Sequence, residues 1–197
     1  MSTREQDVFV IADQALCAVL EQIAPDQWAM PIPTWFQTGQ AQDGLTVRAI
    51  VNYHAYDEAW VPDVLAGKTV AEVGSRWDGD LLGADPIASF RDLAAAAQAA
   101  ARGLDDPERT VHLSYGDFPA REYLRHITSF RGFRTYDIAK LIGAPTEMPA
   151  DLVQGLNDLI VPDIEQWRAM GVFPAAVPAP AGADAQTRLL CLSGREP

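Results

Sequence analysis

The segment TVRAIVNYHAYDEAWVPDVLA, residues 46–66, carries one stripe of mostly apolar side chains at helical spacing. The members of the stripe are Val47, Ile50, Val51, His54, Val61 and Leu65. Such spacing is typical of an amphipathic helix, and Gly67 directly after the segment can end it. The segment therefore predicts a helix that has ionisable side chains on or beside its buried face.

Four more segments have the same helical pattern on either side of this one. The first begins near Val8 and is ended by Pro25, and another runs from the cap Asp85 to Arg102. Pro119 opens a helix that ends near Gly143, and residues 149–170 form a fifth with a bend at Pro162. Apolar and polar side chains alternate along residues 110–115, which predicts a short strand or edge segment.

Several helices that each have one apolar stripe bury these stripes most readily by packing against one another. We therefore expect an all-α domain over residues 1–172. Residues 173–197 are expected to be a Pro/Ala-rich C-terminal extension packed on this bundle, with a short helix or docked strand over residues 186–192.

The composition disfavours some classes of partner. The formal net charge is −12, whereas nucleic acids and anionic membranes are bound by clustered Lys and Arg. The amino terminus is unlike a signal peptide, and no segment is long and apolar enough to cross a bilayer. We expect a cytoplasmic protein that binds neither nucleic acid nor membrane, in which Cys17 and Cys191 are poor nucleophile candidates.

The informative residues are ionisable ones on apolar stripes, because bundle cores become sites when polar side chains point inward from facing helices. In segment 46–66 these residues are Tyr53, His54, Asp57 and Glu58. In the helix after Pro119, Arg134 falls where burial is predicted, beside Phe130 and with Asp137 three residues on. A buried arginine needs a carboxylate partner, and Asp137, Asp57 and Glu58 are the candidates.

The order of the segments resembles a known family. The motifs are TVRAIVNYHAYDEAWVP (46–62), LAGKTVAEVG (65–74), TVHLSYGD (110–117), RTYDIAKLIG (134–143) and DAQTRLL (184–190). They look like the actinobacterial branch of the mycothiol-dependent maleylpyruvate isomerase-like family, within the DinB-like superfamily. This resemblance implies a four-helix bundle with extra helix, loops and a C-terminal extension, and a divalent metal that activates a low-molecular-weight thiol.

The chain departs from the family pattern at the metal ligands. The family has a ligand histidine directly after the Val-Asn pair, where this chain has Tyr53; His54 is displaced by one residue and so rotated by about 100° around the helix. The two ligand positions before Asp137 are occupied by Phe130 and Arg134. We therefore expect no cofactor and a metal-free site in which Arg134 pairs with a carboxylate and Tyr53 fills the vacated space.

Three hypotheses for function follow. The preferred one is a metal-free binding module, or degenerate thiol-transferase relative, in which Arg134 holds an anionic small molecule or forms an internal salt bridge. The alternative is a divalent-metal-dependent mycothiol-type S-transferase or isomerase, with Zn²⁺ on His54 and His126 and mycothiol as co-substrate. A third is an interaction protein that forms a homodimer through an exposed apolar helix face.

Overall fold

The computed structural model describes residues 2–36 and 44–197, and the chain is mostly helical. The helices are α1 (Arg4–Leu20), α2 (Val47–Leu65), α3 (Val70–Val73), α4 (Pro86–Arg102), α5 (Ala120–Ile142), α6 (Ala150–Leu159), α7 (Ile164–Ala169) and α8 (Ala185–Leu192). Short 3₁₀ turns cover Gln27–Ala29 and Val161–Asp163. Two strands, β1 (Thr110–Leu113) and β2 (Gly116–Pro119), pair as an antiparallel hairpin.

The helix starts follow from local capping. The Thr3 side chain accepts a hydrogen bond from the Gln6 N–H, and the Gln6 side chain accepts one from the Thr3 N–H, which completes a capping box at α1. The Thr46 hydroxyl caps α2, as the Asp85 carboxylate caps α4. The sequence prediction of these two starts is confirmed.

The four longest helices build the centre of the molecule. α1 packs along α5 and also contacts α4, while α4 in turn packs along α2. α6 lies on α1 so closely that a Cβ at Gly155 would stand 2.5 Å from Cγ1 of Val8. This arrangement brings one face of each of α1, α2 and α5 to the same interior.

Two local predictions were wrong in detail. α1 ends at Leu20 rather than at Pro25, and the N–H groups of Gln22 and Ile23 then make 3₁₀-type bonds to the last turn. Residues 149–170 form two helices separated by a 3₁₀ turn, since Pro162 lacks the N–H that a continuous helix needs. The short strand expected within residues 110–115 is confirmed as β1, and its partner strand β2 was not predicted.

The residues after α7 fold back onto the bundle. Phe173 is buried, as are Leu189, Leu190 and Cys191 of α8, and most of them join the cluster that α1 and α6 form. α8 ends in a Schellman motif: Gly194 has φ +79°, its N–H donates to the Cys191 carbonyl, and the Arg195 N–H donates to the Leu190 carbonyl. This turn directs Arg195 toward α5. Among the described residues, no helix has the length and apolar character required to span a membrane.

Candidate functional site

A fully buried ion pair joins α2 to α5. Arg131 Nε donates to Glu58 Oε1 at 2.6 Å, and neither side chain reaches the surface. Arg131 Nη1 also donates to the Ile127 carbonyl, and its guanidinium lies over the Phe9 ring. Because burying a lone charge is costly, the pair ties the two helices together electrostatically.

Asp13 of α1 adds a second carboxyl group to this pair. Gln98 donates to its Oδ2 at 2.7 Å, and its Oδ1 lies 4.0 Å from Arg131 Nε. Burial, followed by the negative charge of Glu58, raises the pKa of Asp13 well above its usual value. We infer that Asp13 is protonated and directs its proton to Glu58, which would satisfy two buried oxygens, Asp13 Oδ1 and Glu58 Oε2, that have no other partner within the described residues.

A second polar cluster lies further along α5. Arg195 donates two hydrogen bonds of 2.8 Å to the Asp137 carboxylate, one from Nε and one from Nη2. Arg134 reaches the same carboxylate with Nη1 at 3.3 Å, while its Nε donates to His54 Nε2 at 3.1 Å. Two guanidinium groups therefore converge on one carboxylate, and α2, α5 and the chain after α8 all contribute to the cluster.

His54 is a neutral hydrogen-bond acceptor in this cluster. Burial, with the positive charges of Arg134 and Arg131, lowers its pKa well below the ordinary value. The pKa of Arg134 is also lowered, by burial and by the nearby Arg195, against the opposing effect of Asp137. The cluster is thus a positively charged environment in which the imidazole stays unprotonated.

A cavity of about 530 Å³, the larger of two adjoining cavities, opens beside this cluster. His54, Arg134 and Arg195 line it, together with the Ser129 side chain. The remaining walls are largely apolar or aromatic and include Leu45, Ala49, Ile50, Tyr53, Tyr56, Phe130, Phe133, Val172 and Phe173, while Asn52, Asp78 and Gly79 complete the lining. Its size and mixed lining are typical of a small-molecule pocket.

A smaller cavity of about 350 Å³ lies on the other side of Tyr53, Tyr56 and Phe130, which line both spaces. The carboxyl group of Asp57 contributes to its lining, and most of the other lining residues are aromatic or aliphatic. Burial raises the pKa of Asp57 to about 7, although Arg131 and Arg134 act in the opposite direction.

The residues that the sequence singled out fall into three places. His54 and Arg134 line the larger cavity and Asp57 lines the smaller one, whereas Tyr53 and Phe130 form the wall between them. Tyr53 and Phe130 are 49% and 48% exposed, so Tyr53 lies at the opening rather than in an interior space. The other two predicted residues, Glu58 and Asp137, are buried beneath the cavities, where they hold arginines.

The donor set around His54 does not fit a divalent cation. The Nε2 of His54 already accepts a hydrogen bond from Arg134, and the adjacent guanidinium would repel a metal ion. His126 belongs to a different environment, where it contacts Tyr115, Glu122 and Trp167. In the ranges 2–36 and 44–197, no three His, Cys, Asp or Glu side chains form a group that could hold a metal.

Sequence reasoning missed Asp13, Arg131 and Arg195. Arg131 lies seven residues from both Leu124 and Ile138, on one buried stripe of α5, and Asp13 lies four residues after the buried Phe9. A search for charged residues on these stripes could have found both. Arg195 carries no such signal, because only the turn after α8 brings it to α5.

Comparisons of the chain with models of protein families, with curated proteins and with solved structures found no match.

Proposed function

We propose that the chain is a metal-free binding protein for a small anionic molecule with an apolar part. The observation that carries the proposal is that Arg134 and Arg195 both line the larger cavity while sharing Asp137. An arginine fork recognises carboxylate and phosphate oxygens through paired N–H donors. The apolar and aromatic walls would hold the remainder of the ligand.

The positions of both guanidinium groups are fixed before a ligand arrives. Arg195 is held by Asp137 and by the Ser193 hydroxyl at 3.0 Å from Nη1, and its guanidinium lies over the Phe133 ring. Arg134 is held by His54 and Asp137, and it lies over the Phe36 ring. Such preorganisation lowers the conformational entropy that the two arginine side chains lose when a ligand binds, and a low surrounding polarity strengthens each charged hydrogen bond.

Neutral His54 supports the same interpretation. A protonated imidazole would repel the guanidinium of Arg134, whereas the unprotonated Nε2 accepts its hydrogen bond and orients it. His54 is therefore a positioning residue in this proposal.

The proposal extends to ancestry. We infer a DinB-like four-helix bundle related to the mycothiol-dependent maleylpyruvate isomerase-like proteins but depleted of their metal ligands. The four long helices and the motifs at 46–62 and 134–143 support it. In this interpretation Arg134 substitutes for the lost cation by neutralising Asp137, but it cannot activate a thiol by coordination.

The test is calorimetric titration of the full chain with benzoate, with uncharged benzyl alcohol as the matched probe. We expect benzoate to bind and benzyl alcohol to bind at least about tenfold more weakly, because only the carboxylate forms charge-assisted hydrogen bonds. Arg134→Gln should weaken benzoate binding by about tenfold or more. This variant leaves Asp137 with Arg195 and keeps an amide donor near His54.

The control is Arg91→Gln, which removes an equal charge from α4, where Arg91 contacts Glu21 at the surface. It should bind benzoate like the wild type. Equal affinity for benzoate and benzyl alcohol, or an undiminished affinity in Arg134→Gln, would contradict the proposal. Stoichiometric Zn²⁺ retained after dialysis would instead support the metal-dependent thiol transferase.

A further inference from the structure

The smaller cavity has a chemistry opposite to that of the larger one. Its lining contains the Asp57 carboxyl group and six aromatic side chains, those of Tyr53, Tyr56, Trp60, Tyr115, Tyr123 and Phe130. No lysine or arginine contributes to this lining among the described residues. Aromatic faces carry negative electrostatic potential, so the rings and the carboxylate favour the same sign of ligand charge.

Asp57 differs from the other acids of α2. Glu58 is paired with Arg131, and Asp63 is held by Lys68, Arg76 and the Trp77 indole. Asp57 has neither an ion pair nor a hydrogen bond within the part of the chain that the structure describes. A largely enclosed carboxylate without a partner is costly, and a cation in the cavity would remove that cost.

We propose that the smaller cavity binds an organic ammonium ion, with Asp57 as its counter-ion and the surrounding aromatic rings as its cage. A volume of about 350 Å³ admits a tri- or tetra-alkylated ammonium group with a short substituent. An anion would be repelled by Asp57, and a neutral apolar molecule would leave the carboxylate without compensation. The site goes beyond the anion-binding function proposed above and depends on different residues.

Trp60 belongs to the same lining. The indole Nε1 of Trp60 is buried and has no acceptor within residues 2–36 and 44–197. Trp60 stands three residues after Asp57 on α2, and its ring lies 5.9 Å from that of Tyr56. Because this N–H is shielded from solvent, Trp60 can contribute its ring to the cage but not its N–H.

Choline carries a quaternary ammonium group with one short substituent and is the probe for the test. Titration of the full chain should detect binding of choline, with a change in Trp fluorescence as a second readout. The uncharged carbon isostere of choline, in which a tert-butyl group replaces the trimethylammonium group, should bind at least about tenfold more weakly. Asp57→Asn, which keeps the shape of the side chain, should weaken choline binding by about tenfold or more.

The matched control is Asp92→Asn, which removes one exposed carboxylate from α4 and should leave choline binding unchanged. Equal binding of choline and its isostere, no binding of choline, or undiminished binding in Asp57→Asn would overturn the proposal. Arg134→Gln and benzoate report on the other cavity. Loss of one binding activity with the other retained therefore shows which of the two proposals fails.

Discussion

Arg131 Nε lies 2.6 Å from Glu58 Oε1, and this pair between α5 and α2 is completely shielded from solvent. The nearest further carboxyl group belongs to Asp13 of α1. Three helices thus meet at this buried polar centre. His54 and Asp57 of α2 and Arg134 of α5, which line the two cavities, lie within four residues of the pair along their helices.

Arg131→Met should destabilise the fold strongly. The substitution leaves Glu58 buried without its cation, and breaking a buried pair in this way costs about 3–5 kcal/mol. Urea unfolding at neutral pH measures the loss. Adding Glu58→Gln in the same chain should restore part of the stability, because no unpaired charge then remains. A single variant within about 1 kcal/mol of the wild type would contradict the structural role given to the pair.

Asp57→Asn should become progressively more stabilising as the pH rises. Burial raises the pKa of Asp57 from 3.8 to about 7, so the folded protein binds more protons than the unfolded chain between these values. The free energy of unfolding of the wild type therefore decreases as the pH rises from 3.8 to about 7, and the decrease is complete above about pH 7. Asn cannot ionise and escapes the loss.

Thermal unfolding of both proteins over a pH series checks this. The groups that act on Asp57 are Arg131 and Arg134 from α5 and Glu58 from α2, and His112 of β1 lines the same cavity. All four remain in both proteins, so the difference between them isolates Asp57. A stability difference that is constant over the pH series would show that the carboxyl group is not held in its protonated form.

The sequence predicted the helices well where local rules determine them. Thr46 and Asp85 mark the starts of α2 and α4, and the apolar spacing between these starts and the following glycines indicates the faces that are buried. It failed at the pairing of β2 with β1, which is decided across a turn, and it predicted only a bend at Pro162 where the chain forms two separate helices. Periodicity carries no information on either event.

The candidate site was predictable only in part for a similar reason. His54 and Arg134 stand out as ionisable residues on apolar stripes, and the structure places them in one hydrogen-bonded cluster. Arg195 lies 58 residues after its partner Asp137. Its position depends on the chain's return after α8, which no local pattern encodes.

Gly155→Ala should destabilise the contact between α6 and α1. A Cβ at this position would lie 2.5 Å and 2.8 Å from the two methyl carbons of Val8, which is β-branched and fully buried. Overpacking of this kind costs about 1–3 kcal/mol, against a gain of about 1 kcal/mol in helix propensity. Chemical denaturation gives the net change.

The double variant of Gly155→Ala with Val8→Ala isolates the contact. It should be more stable than the sum of the two single effects, because the smaller side chain leaves room for the new methyl group. Strict additivity of the two changes would show that the two helices do not approach one another this closely.

Cys17 should react slowly although part of its surface is accessible. Burial is the largest cause that raises the pKa of its thiol from 9.0 to about 12, and the nearby negative charge of Glu58 acts in the same direction. At about pH 8 the thiolate is then roughly a thousandfold scarcer than at the ordinary pKa. Alkylation by iodoacetamide, followed by mass spectrometry, should modify the folded protein more than about a hundredfold more slowly than the urea-unfolded chain. Comparable alkylation rates in the folded and the urea-unfolded protein would show that the pKa of Cys17 is not raised.

The central claim is that Arg134 and Arg195 form a metal-free site for an anion in the larger cavity. A crystal structure of the full chain, incubated with Zn²⁺ and then soaked with benzoate, tests it most directly. We expect the benzoate carboxylate within hydrogen-bonding distance of at least one of these guanidinium groups, with His54 Nε2 still accepting from Arg134. A zinc ion coordinated by His54, or benzoate bound only elsewhere, would contradict it.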